Sequence, residues 1–130
     1  MTIPLLCILL AYVTIWIPKL ISSYEQSKLE GGYDNDDPRI QRKQLTGRGA
    51  RAQAAHENGF EVFAPFAASV FVSHLGGGEA QWAMIFAITF VVARTLYPFV
   101  YLSGKGGLRS TVWMIGGGAT GALFLLPYFS

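Results

Sequence analysis

The chain has 130 residues and a net charge of +2, with 14% charged residues against 52% hydrophobic ones. A soluble domain carries roughly a quarter charged residues, so this composition reads as a membrane protein of one domain. The small net charge and the absence of a recognised basic motif exclude nucleic acid as a partner, and a single cysteine, Cys7, excludes a disulfide framework.

The hydropathy pattern predicts an all-α fold with four membrane spans. The first covers 3–21 and ends at Lys19, which can snorkel to the interface. It has no basic segment before its apolar run and no small-x-small cleavage site after it, so it is read as a retained span rather than a signal peptide. A polar loop over 22–51 follows, with the acidic stretch Asp34-Asn35-Asp36-Asp37. The second span, 52–74, is the weakest, because His56, Glu57, Asn58 and Glu61 fall in its first turns. Spans three and four cover 80–102 and 110–129, separated by a short turn. Apolar segments of this length must be helical, since lipid leaves no partner for free backbone groups.

Orientation follows from basic residues. Of ten Lys and Arg, seven lie from Lys19 to Arg51, and the others are Arg94, Lys105 and Arg109. The first and third loops therefore face the cytoplasm, and both termini face the other side. In the last span Gly117 and Gly121 make a small-xxx-small step, which predicts close packing within the chain or between chains.

Ionisable residues inside spans are expensive and need a reason. Asn58 and Glu61 share a helical face, and Arg94, Tyr97 and Tyr101 fall at i, i+3 and i+7 on another. With Arg51, Arg109 and Ser110 they lie toward the cytoplasmic ends of their helices, where they predict a partly basic pocket. Glu61 and Arg94 are expected to form a buried ion pair. Arg109, at a helix start, also suits a lipid headgroup. His56 is expected to be a packing residue. The segment His56-Glu57-Asn58-Gly59-Phe60 lacks the second histidine of a zinc-protease helix, so no metal site is expected.

These residues carry a resemblance. The run from Arg51 to Glu61, then Pro65-Phe66, Ala93-Arg94-Thr95-Leu96-Tyr97, Tyr101 and Leu108-Arg109-Ser110, resembles the MAPEG family, the membrane-associated proteins of eicosanoid and glutathione metabolism. The resemblance implies a four-helix membrane bundle assembled as a homotrimer, with glutathione held between subunits near the cytosolic face. It implies glutathione contacts from Asn58, Glu61, Arg94, Tyr97 and Tyr101, and thiolate stabilisation by Arg109 and Ser110; beside these, Arg51 or Arg48 is expected to hold a carboxylate and Tyr101 to donate to the sulfur. The implied function is a glutathione-dependent transferase or peroxidase acting on lipophilic electrophiles that arrive through membrane lipid. Where the prostaglandin- and leukotriene-forming members carry arginines, this chain has Ala54 and Glu57. That departure makes it more similar to the bacterial branch, whose place would be an inner membrane. It also keeps a competing reading open, a non-enzymatic bundle with a structural or lipid-binding polar pocket.

Overall fold

The computed structural model describes residues 2–130. Its elements are α1 (Ile3–Ser27), α2 (Pro38–Gln41), a 3-10 turn (Arg42–Gln44), α3 (Gly47–Leu75), α4 (Ala80–Leu102), α5 (Gly106–Leu125) and a final 3-10 turn (Leu126–Phe129). Among the described residues no strand occurs. The four long helices pack together, α1 against α3 and α4, and α5 against α4 and α3. Helix α1, helix α4 and the run from α5 through the final turn are each long and apolar enough to cross a membrane. Helix α3 is longer still, roughly 44 Å for its 29 residues. Composition does not mark it as a span, because Arg48, Arg51, Glu57 and Glu61 occupy its first half.

Helices run further than the apolar segments that announce them. Residues 22–27 and 47–51, expected in the loop, are the last turns of α1 and the first of α3. Polar side chains hold these extensions together. Ser22 Oγ donates to Gln53 Oε1 at 2.8 Å, and Gln53 Nε2 donates to Glu57 at 3.2 Å. Gln26 Nε2 donates both to the Pro38 carbonyl and to Gln41 Oε1 at 2.9 Å. Gln41 in turn accepts from the Asp34 amide at 2.9 Å and donates to the Gly32 carbonyl at 2.7 Å. One buried glutamine thus gathers the connection between α1 and α3 into a strap pinned to the helix ends.

The core has two parts. The larger contains Cys7, Ala11, Phe66, Val70, Ala87, Phe90 and Leu123. There the Phe66 and Phe90 rings stack with centroids 3.8 Å apart. The smaller, nearer the basic loops, contains Ala55, Ala93, Tyr97 and Val112. Small residues set the spacing between helices: a Cβ on Gly59 would lie 3.2 Å from Ile15 Cγ1, so α3 and α1 meet almost backbone to backbone. His56 packs as expected, buried beside Trp16 and Phe60, with Nδ1 2.8 Å from the Ile15 carbonyl.

Close packing at Gly117 and Gly121 does not occur within the chain. A Cβ on either would have nothing within 4 Å, whereas one on Gly116 would touch Phe90 and Ala93 at 3.7 to 3.8 Å. Only 22% of the α5 span is buried. The remainder, including Trp113, Met114 and Ile115, is an apolar face open to lipid or to another protein surface.

Candidate functional site

Helix α4 carries the spine of the site. Arg94, Tyr97 and Tyr101 share one face, and their side chains form a column. The Arg94 guanidinium carbon lies 4.0 Å from the centre of the Tyr97 ring. Tyr97 meets Tyr101 edge to face at 5.7 Å. Arg109, from the first turn of α5, covers Tyr101 at 5.0 Å. Cations over aromatic faces are attracted by the ring quadrupole, most strongly where water is excluded. Arg94 is 6% exposed and Tyr97 1%, so the deep end of the column is dry.

Two cavities flank the column. The deeper, about 330 Å³, lies among α3, α4 and α5 and is lined by Asn58, Glu61 and Arg94 on one side and by Phe90, Trp113 and Thr120 among others. The shallower, about 120 Å³, lies at the turn between α4 and α5 and is lined by Arg51, Tyr101, Gly104, Lys105, Gly106 and Arg109. The pocket expected as a single space is therefore two, with Tyr97 filling the core between them.

The expected ion pair between Glu61 and Arg94 is not formed. Arg94 Nη1 donates to Asn58 Oδ1 at 2.9 Å, and Asn58 Nδ2 donates weakly to Glu61 Oε2 at 3.5 Å. Asn58 stands between the two charges. Glu61 is exposed, and among the described residues Arg94 has no carboxylate within ion-pairing distance. The amide lies one helical turn closer to the loops than the carboxylate, at the level where the guanidinium of α4 meets α3. Spacing shows that residues 58 and 61 share a face, but not which of them an arginine on another helix will meet.

The other expected residues divide. Tyr101, Arg51 and Arg109 come together around the shallow cavity. Arg51 Nη1 donates to the Leu102 carbonyl at 3.5 Å. Ser110 is exposed on α5 and lines neither cavity. Sequence reasoning missed Lys105, and it missed the α5 wall of the deep cavity, Trp113, Gly116, Gly117 and Thr120. Their helical spacing from Arg109 was a usable signal, hidden by uniform hydrophobicity. Glu57, standing where an arginine occurs in the eicosanoid-forming proteins, is exposed and lies 4.0 Å from Arg42 Nη2 of the strap.

No curated protein matches the chain significantly. The sequence model of the MAPEG family aligns with residues 3–129, from the first turn of α1 to the end of the final turn. The chain belongs to the MAPEG family.

Proposed function

We propose that the protein is a four-span membrane enzyme that joins glutathione to lipophilic electrophiles, or uses it to reduce lipophilic peroxides. The observation that carries this reading is the column from Arg94 to Arg109, with cavities at both ends and no carboxylate paired to either arginine among the described residues. Glutathione presents two carboxylates, an ammonium and a thiol. Arg94 with Asn58 suits a carboxylate, Glu61 suits the ammonium, and Arg51 suits the second carboxylate.

Arg109 and Tyr101 suit the sulfur. A free thiol has a pKa of about 8.5, and a nearby cation lowers it. The proton leaves to water, Arg109 stabilises the thiolate charge, and the Tyr101 hydroxyl donates to the sulfur. The thiolate then attacks an electrophilic carbon, a carbon–sulfur bond forms, and the leaving group departs with the bonding pair. In the peroxide case the thiolate attacks the terminal oxygen, the O–O bond breaks with the alkoxide leaving as the alcohol, and a second glutathione thiol displaces water from the sulfenic acid to form the disulfide. Ser110 takes part only if a ligand or a neighbouring subunit covers it.

The loops 28–46 and 103–105 face the cytoplasm on the distribution of Lys and Arg, and both termini face away. The open face of α5, with Gly117 and Gly121 free of contacts, suits a homotrimer in which a neighbouring helix covers the deep cavity. A bacterial inner membrane fits this topology.

A second reading, a bundle without catalysis, is favoured by one observation: Ala54 and Glu57 remove cations, and Glu57 is already balanced by Arg42. Calorimetric titration of purified protein with glutathione separates the two. Saturable binding that weakens in Glu61→Gln supports the enzyme, and absence of binding to the wild type leaves the structural bundle.

A further inference from the structure

The shallow cavity has a composition of its own. Its charged lining is Arg51, Lys105 and Arg109, with no acidic residue among its walls. Among the described residues none of these three cations has a carboxylate partner: the ion pairs are Lys28–Glu25, Arg42–Glu57 and Arg48–Glu25. Three like charges around so small a space repel one another unless an anion joins them.

The backbone adds to the attraction. Gly104, at φ +75°, turns the chain so that Arg51 can approach, and a Cβ there would lie 3.2 Å from Arg51 Nη1. Helix α5 then starts at Gly106, and no side chain caps its first amides. Those amides and the helix dipole add positive potential on the same side as the three cations. At about 120 Å³ the space is too small for a tripeptide and large enough for one tetrahedral oxyanion. Phe99 and Leu108, close in the chain to the lining residues Tyr101 and Arg109, are both about half exposed. Cations beside exposed apolar side chains are the arrangement found where a protein meets the headgroup layer.

We propose that this cavity binds a phosphate oxyanion, from the headgroup of an anionic lipid or from a soluble phosphate. Arg51 and Arg109 supply planar donors, and Lys105 closes the open side as a mobile point charge. The site shares Arg51, Tyr101 and Arg109 with the glutathione reading but does not depend on it. A phosphate seated here competes for the group that would hold the thiolate, so lipid composition would set activity.

The test uses the full chain purified in an uncharged detergent, with inorganic phosphate and dihexanoyl phosphatidylglycerol as probes. Thermal unfolding of the wild type should shift upward with either probe, beyond the effect of chloride at equal ionic strength. Lys105→Gln, at an exposed position outside the proposed glutathione set, should bind phosphate about threefold more weakly, as loss of one exposed charge contact implies. It should leave glutathione affinity in calorimetry unchanged. Saturation by phosphatidylglycerol at lower concentration than by phosphate assigns the site to lipid, and the reverse assigns it to a soluble phosphate. A wild-type shift no larger than that of chloride overturns the proposal. So does a phosphate response undiminished in both Lys105→Gln and Arg51→Gln. Glutathione binding retained in the face of either negative result would sink this inference alone.

Discussion

Removing the amide of Asn58 should do more harm than removing the charge it holds. Arg94 is buried, and Asn58 Oδ1 accepts its Nη1 at 2.9 Å. A hydrogen bond to a charged group contributes about 1.5–3 kcal/mol, and its loss leaves a buried donor without a partner. Asn58→Leu should therefore cost about 2–3 kcal/mol. Arg94→Met forfeits the same bond and the contact with the Tyr97 ring, worth about 2 kcal/mol when dry. It also removes the cost of burying a cation, which is several kcal/mol, so its net effect should be smaller, about 1 kcal/mol. With Met at position 94, Asn58→Leu should then cost little. Glu61→Gln, at an exposed position joined only through a 3.5 Å contact, should cost less than about 1 kcal/mol. Reversible unfolding in detergent, followed by helix signal across the double-mutant cycle, measures these differences. Strict additivity of the position 58 and 94 changes, or a Glu61→Gln loss as large as that of Asn58→Leu, would refute the account of how the buried charge is held.

Phe66→Ala should destabilise the same unfolding transition by about 3–5 kcal/mol, because a ring with no exposed surface, stacked on Phe90, leaves a cavity between α3 and α4. Gln41→Ala should loosen the strap more than the helices. It deletes bonds to Gln26, Asp34 and Gly32, so limited proteolysis within 28–46 should quicken while the unfolding midpoint moves little. For topology, a cysteine at Asp36 in a Cys7→Ala background should resist an impermeant thiol reagent added outside intact cells and react after permeabilisation. Labelling without permeabilisation would reverse the assigned orientation.

Much of this architecture is legible in the sequence because lipid imposes one rule on long apolar runs. The ends of the 80–102 helix are readable, since Glu79 caps its first amides and the turn glycine Gly104 follows closely. The extensions of α1 and α3 are not, because Ser22 and Gln26 look like loop residues until they are seen bonded to Gln53 and Gln41. In the site, the shared face of Arg94, Tyr97 and Tyr101 follows from helical period alone. The partner of Arg94 does not, because that choice depends on how deep α3 sits against α4. Lys105 escaped notice because a lysine in a turn is ordinarily solvated, and only the approach of Arg51 beneath Gly104 makes it part of a cavity.

Glutathione bound as a thiolate beside Arg109 would be visible in an ultraviolet difference spectrum. Wild-type protein titrated with glutathione at neutral pH should develop thiolate absorbance that saturates with binding. Arg109→Leu should abolish that absorbance, and Arg109→Lys should restore part of it, since lysine keeps the charge without the planar fork. Bound glutathione with no thiolate signal in the wild type, or an equal signal in Arg109→Leu at the same pH, would contradict the account.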